Sequence, residues 1–232
     1  MKILCIADHP DPIVYSINIK HRFKDVDLVI SCGDLPLSYY DFIVSNLNRP
    51  LAFVFGNHNL KWIHHFSRRF RRYHETTTVL RRMKEWDTTN PIPSGVEYID
   101  GRIKKIQGLI LVGLGGSIRY NNGINQYTDR QMWLRIIKLI PRLFLNRILF
   151  GRYCDILVTH APPKGIHDLP DRCHTGFTPF LWFLRTFTPS YLIHGHIHLW
   201  EYNQKRSSVY HKTTIVNAYN HTVVEVEMQG KK

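Results

Sequence analysis

Oxygen and imidazole donors stand at the end of one apolar run after another. Asp8 follows ILCIA (3–7), and Cys32-Gly33-Asp34 follows LVIS (28–31). Gly56-Asn57-His58 follows LAFVF (51–55), His160-Ala161-Pro162-Pro163 ends ILVTH (156–160), and His194-Gly195-His196-Ile197-His198 follows YLI (191–193). Hard oxygens and imidazoles without a thiolate suit divalent cations. Two such ions sharing one carboxylate would lie roughly 3.5–4 Å apart and clamp a phosphoryl group from both sides. Taken singly, each fragment has a plainer explanation. A Gly-Asp pair is commonly a turn, and a lone His is commonly a hydrogen-bonded structural residue. In Gly-His-x-His the two imidazoles alternate and so face one side of an extended chain. The signal is the ordered set.

The elements that must position these donors are apolar runs separated by turn residues. LILVGL (109–114) adds to the buried strands already named, and TTIVNAY (213–219) and TVVEVEM (222–228) read as later strands. In the last, Val223, Glu225 and Glu227 alternate with Val224, Val226 and Met228, which predicts one buried and one solvated face. Asn220-His221 between the final two runs predicts a hairpin turn. Helices are expected over 37–47, 61–86, 129–150 and 177–187, with Pro141 kinking the third and Pro179 tolerated near the start of the fourth. Strands alternating with helices, then strands alone, predict a layered α/β architecture with mixed sheets. Sites in such sheets gather at the carboxyl ends of the strands.

The series Asp8, Gly33-Asp34, Gly56-Asn57-His58, His160-Ala161-Pro162-Pro163 and Gly195-His196-Ile197-His198 resembles the calcineurin-like metallophosphoesterase superfamily, over residues 1 to about 226. The resemblance implies a four-layer sandwich, two mixed sheets flanked by helices, and a phosphomonoesterase or phosphodiesterase with two divalent metals. Manganese or iron would be the first choices and zinc, magnesium or nickel the others. It further implies that Asp34 bridges the metals, that Asp8 and His198 bind the first, and that Asn57, His160 and His196 bind the second. His58 would stand near the leaving group as general acid or transition-state stabiliser, and a metal-bound hydroxide would attack phosphorus. Two positions depart from the family pattern. Pro10 occupies the place of the His in the first motif, Asp-x-His, and proline cannot bind a metal. His9 is one residue out of register, so Asp11 or water would complete the first site. Asn59 replaces the acid that often follows the catalytic His and cannot stabilise an imidazolium by charge. The missing first-motif His also allows a non-catalytic binding or scaffold protein on the same fold.

LILVGLGGSIRY (109–120) is not a phosphate-binding P-loop, because no Gly-Lys-Ser/Thr follows its glycines. Gly113, Gly115 and Gly116 read as a close backbone approach beside the site. Arg119 and Tyr120 are candidates for reaching a substrate phosphate, Tyr127 and Asp129 for lining the cleft. His9, His167 and His174 are expected at the surface or rim.

The net charge of +13 is concentrated in two places. Residues 61–84 hold eight Lys/Arg and one acid, and residues 130–152 hold six Lys/Arg and none. The structural alternative is a pair of amphipathic helices with solvated basic faces. The functional ones are a nucleic-acid track and an anionic membrane surface. Four scattered cysteines make neither a zinc nor a disulfide framework, and Cys5, Cys32 and Cys154 are expected as buried hydrophobes. No apolar run reaches the roughly 18 residues of a membrane span, and MKILCIAD leads into a strand rather than a secretory signal. The expectation is one cytoplasmic domain spanning residues 1–232.

Overall fold

The computed structural model describes residues 1–67, 94–200 and 205–227. Its strands, in chain order, are β1 (Lys2–Ala7), β2 (Leu28–Ser31), β3 (Leu51–Phe53), β4 (Val96–Tyr98), β5 (Ile103–Ile106), β6 (Leu109–Leu114), β7 (Ser117–Ile118), β8 (Gln126–Tyr127), β9 (Ile156–Thr159), β10 (Tyr191–His194), β11 (Ser207–Tyr210), β12 (Thr213–Asn217) and β13 (Asn220–Glu225). Helices α1 (Ile19–Arg22), α2 (Leu37–Leu47), α3 (Ile63–Phe66), α4 (Asp129–Phe150) and α5 (Thr178–Phe187) lie between them.

One sheet runs β13-β1-β2-β3-β4, parallel except at β13. The second runs β11-β12-β10-β9-β6-β5, parallel in its middle and antiparallel at both edges. Central strands buried on both faces need continuous apolar sequence, and alternate residues divide between two cores. Ile3 and Cys5 join Ile30, Ala52, Leu111, Val158 and Ile193 between the sheets. Leu4 and Ile6 face the other way, with Ile19, Tyr39, Tyr40 and Ile43 beneath α1 and α2. On the far side Val112, Leu157 and Leu192 pack under Met132, Ile136 and Leu143 of α4 and Phe180, Phe183 and Phe187 of α5. The layers are helix, sheet, sheet, helix, which is the expected four-layer α/β sandwich. Cys5, Cys32 and Cys154 are buried and unpaired, as expected.

The expected helices at 37–47 and 129–150 appear with those bounds, and the fourth begins at Thr178 with Phe177 as its N-cap. Thr128 and Gln131 close a capping box at the start of α4, which continues through Pro141 to Phe150. Of the helix expected over 61–86, a short 3-10 turn (Leu60–Trp62) and α3 are seen; its remainder, including the basic run Arg68-Arg69-Phe70-Arg71-Arg72, lies outside the described residues. The predicted hairpin at Asn220-His221 is not one. β12 pairs in the second sheet and β13 pairs with β1 in the first, so the chain crosses between sheets there, with Asn220 in the left-handed region at φ 59°. β13 alternates as predicted, Val224 and Val226 buried and Val223 and Glu225 exposed. β4, β5, β7, β8 and β11 lie outside the runs expected as strands. β5 reads IKKI and β11 reads SSVY, polar compositions that suit sheet edges and carry little hydrophobic signal.

Candidate metal centre

The parallel strands β1, β2 and β3 of one sheet and β9 and β10 of the other bring their carboxyl ends to one place. Immediately beyond them the backbone turns sharply: Asp8, Asp34 and His196 all adopt left-handed conformations, at φ 69°, 63° and 68°. Such a backbone is costly for a non-glycine residue and, where observed, points to a functional demand. The turns interlock. The Asp8 N–H donates to the Gly33 carbonyl at 3.1 Å and the Gly195 N–H to the His160 carbonyl at 2.9 Å. The His196 N–H donates to both carboxylate oxygens of Asp8, at 2.9 and 3.1 Å, and the His58 N–H to Asp34 Oδ1 at 2.7 Å.

Asp34, His160 and His196 are buried and each offers a ligand atom, all within 4.8 Å of one another. The His160 ring is surrounded by oxygens. Its Nδ1 donates to the Cys32 carbonyl at 2.8 Å, and its Nε2 faces Asn57 Oδ1 at 3.0 Å and Asp34 Oδ2 at 3.3 Å. Burial alone would lower the pKa of this imidazole, but the attraction of Asp34, helped by Asp8, outweighs it and lifts the group to about 9. Nε2 thus faces the oxygens of Asp34 and Asn57 while Nδ1 is engaged by the backbone. Asp34 is opposed by burial, yet His160 and the His58 N–H hold it below the usual carboxylate range. Burial lifts Asp8 to about 7, His160 only partly offsetting it. His196 is pushed down by burial and by His160, so it is neutral; its Nε2–H donates to the Cys173 carbonyl at 2.9 Å, leaving the Nδ1 lone pair. Orientation of each imidazole by a carbonyl is the outer-shell pattern of metal-binding histidines.

Gly56 makes the approach of these groups sterically feasible. A Cβ there would lie 2.1 Å from Asp34 Oδ1 and 2.5 Å from His160 Cε1. The glycine run acts as expected: a Cβ on Gly115 would lie 2.4 Å from the Phe55 carbonyl oxygen, so β6 passes against the turn that carries Asn57. The donor set, two imidazoles with carboxylate and amide oxygens in a buried pocket, fits a divalent cation.

Other expected residues lie at different distances from this cluster. The exposed His58 side chain stands at the mouth. His198 is a step away, stacked on Tyr219 with ring centroids at 4.8 Å and meeting His9 at 5.0 Å. Strand alternation ends at Asp8, whose φ is 69°, and His9 beyond it is exposed. Asp11 is buried, with Oδ1 accepting from the Ile13 N–H at 2.8 Å and Oδ2 paired with His221 at 2.5 Å. Tyr120 is in the site, its hydroxyl accepting from Asn57 Nδ2 at 3.1 Å, whereas Arg119 bonds Gln131 on the exposed rim at 3.1 Å. His174 is on the rim, its ring 5.2 Å from that of His196. His167 instead bridges His194 and Ser208, at 2.9 and 2.8 Å. Asn59 is in the left-handed region, and its amide donates to the Asp34 carbonyl at 2.6 Å. Asn125 escaped sequence reasoning. It is buried, its amide ties the Phe55 and Gly56 carbonyls at 3.1 and 2.7 Å, and it accepts from the Tyr127 hydroxyl at 2.8 Å.

The sequence profile of the family described as calcineurin-like phosphoesterase matches residues 1–199. The uncharacterised protein MJ1162 of Methanocaldococcus jannaschii is 31% identical over 107 residues, a stretch that covers 43% of this chain and 45% of that protein. Among solved structures, TT1561 of Thermus thermophilus superposes with a TM-score of 0.59, over 94% of this chain and 89% of that one at 12% identity. Another crystal structure superposes with a TM-score of 0.62, over 96% and 94% of the two chains at 14% identity. At these identities the two likenesses are of fold.

Proposed function

Since the chain belongs to the calcineurin-like phosphoesterase family, we propose that it hydrolyses a phosphomonoester or phosphodiester with two divalent cations, manganese or iron first among them, held by Asp8, Asp34, Asn57, His160, His196 and His198. The observation that carries this is the buried group of Asp34, His160 and His196 where the strands of both sheets end. When bound, the cations would supply charge neutralisation at the phosphoryl oxygens and a nucleophile from water at neutral pH. The chain's own residues divide the remaining work. Asp34, between the first-sheet and second-sheet donors, would be shared. The Cys32 carbonyl fixes which nitrogen of His160 is free to bind. His58, with its backbone pinned to Asp34 and its side chain exposed, would donate a proton or hydrogen bond to the leaving oxygen. Tyr120, bonded to Asn57, would orient that amide and border the substrate phosphate, and Arg119 would add positive charge at the rim.

A non-catalytic binding protein is the second reading, favoured by two observations: Pro10 stands in the first motif, and the His198 ring rests against His9 and Tyr219. Purified protein incubated with manganese and p-nitrophenyl phosphate or its bis-ester separates the two. Metal-dependent turnover that Asp34→Ala abolishes is expected. Manganese binding without turnover above that variant would favour the second reading.

A further inference from the structure

Helix α4 carries two apolar stripes, and the fold uses one. Met132, Ile136, Leu139 and Leu143 form the buried stripe beneath which the second sheet packs. Leu134, Ile137, Pro141, Leu145 and Ile148 recur at intervals of three or four residues and so share a face. At about 100° per residue that face is opposite the buried one. It is open: Leu134, Ile137, Leu145 and Ile148 are 54%, 51%, 50% and 80% exposed. Aliphatic groups of this size in one line on a surface mark an interaction site.

The charge on the same helix defines the partner. Residues 130–152 contain six Lys/Arg and no acid. Arg135 and Arg152 are drawn inward to Asp100 and Asp155, while Arg130, Lys138 and Arg142 are exposed on or beside the apolar line. A second copy of the chain would set this cationic face against itself across a two-fold axis. Nucleic acid would satisfy the cations but leave branched aliphatic side chains with nothing to bury against, since recognition there runs through phosphates, base edges and stacking. An anionic bilayer satisfies both. Leu and Ile enter the boundary between headgroups and acyl chains, and the long Lys and Arg side chains reach back to lipid phosphates. No described helix is long and apolar enough to cross a membrane, so α4 would lie along the surface. We propose that the outer face of α4 docks the protein on an anionic phospholipid surface. The proposal rests on α4 alone and stands whether or not the metal centre turns over a phosphate ester.

The test is co-sedimentation of the full chain with vesicles of phosphatidylcholine, with and without phosphatidylglycerol. Binding is expected with the anionic vesicles and should weaken with salt. Two variants divide the contributions: Leu134→Ser/Ile137→Ser/Ile148→Ser removes apolar contact, and Lys138→Glu/Arg142→Glu removes charge. Each alters exposed side chains only, and an unchanged circular dichroism spectrum confirms folding. The charge variant should weaken vesicle binding at least about tenfold, since one basic residue at an anionic surface is worth about fivefold in affinity, and the apolar variant, which loses three aliphatic side chains, should weaken it at least as much. Failure to bind anionic vesicles overturns the proposal. So does vesicle binding that survives both variants, which would move the contact to another segment such as 61–84. Binding of duplex DNA or self-association that the variants abolish, without vesicle binding, overturns it in favour of those partners.

Discussion

Replacing Gly56 with alanine places a methyl group where Asp34 and His160 almost touch. The added Cβ would lie 2.1 Å from Asp34 Oδ1 and 2.5 Å from His160 Cε1. Ordinary contacts are 3.4–4 Å, so one of the two side chains must move by about an ångström or the backbone must shift. Overpacking of this kind costs about 1–3 kcal/mol. A domain of this size loses about 2–4 °C of melting temperature per kcal/mol, so the metal-free variant should melt about 2–12 °C lower. The effect on metal affinity is the sharper readout. Disturbing the groups that orient ligands costs about 10–100-fold in affinity. With free manganese at about a hundred times the wild-type dissociation constant, the wild type gains about 2.7 kcal/mol, or about 5–11 °C. A variant weakened 100-fold gains only about 0.4 kcal/mol, or about 1–2 °C, at that concentration. Differential scanning fluorimetry with and without manganese, after chelator treatment, measures both. A Gly56→Ala protein with the wild-type manganese gain would refute the assignment of Asp34 and His160 as joint ligands, because no arrangement keeps both in place around that methyl.

Two further outcomes follow from buried charges in the same region. His160 is raised from its ordinary value to about 9, so in the metal-free protein its contribution to stability is complete below about pH 6.5 and is lost as pH rises through about 9. A cation must displace the Nε2 proton, so the manganese-induced gain in melting temperature should grow from pH 6 to pH 9 and metal uptake should release protons; an unchanged gain across that range would contradict this. Asp100 accepts from the Gly115 N–H at 2.6 Å and pairs with Arg135, whose other amine donates to the Gly115 carbonyl at 2.8 Å. Asp100→Ala strands that buried guanidinium and should cost about 3–5 kcal/mol in urea unfolding, with Asp100→Ala/Arg135→Met recovering much of it; equal stability of the single variant and wild type would show that the pair is solvated.

The donors were legible because each follows a run that only a doubly buried strand would use, so the position of each in space was implied by the end of its strand. Asp34, Asn57, His160 and His196 meet for that reason. What joins them was not legible. Asn125 and Tyr120 reach the Gly56-Asn57 turn from about 65 residues away, through an amide and a phenol in a polar loop that carries no periodicity. His9 could not be placed from strand alternation, since alternation ends at Asp8, where the backbone turns left-handed. The hairpin prediction at Asn220-His221 failed for a related reason. Two alternating runs about a polar pair look the same whether the chain folds back or crosses to another sheet; the difference lies in β1 and β10, the strands that receive them.

Left-handed backbone at Asp8, Asp34 and His196 also bears on why the two sheets stay in register at this edge. Each such residue carries a conformational cost of order 1–3 kcal/mol and persists only where its surroundings over-determine it. Here the surroundings are the other turns: Asp8 is held by the Gly33 carbonyl and in turn holds the His196 N–H with its carboxylate. Asp34 is held by the His58 N–H and by the Asn59 amide on its carbonyl. The donors of the first sheet thus order the backbone of the second, and a carboxylate cannot be withdrawn without loosening the turn that aims an imidazole. Ligand geometry and sheet-to-sheet contact are one network. This explains why Asn59, which lacks the charge of an acid, still suits its position: it favours the left-handed conformation and ties the Asp34 backbone in place.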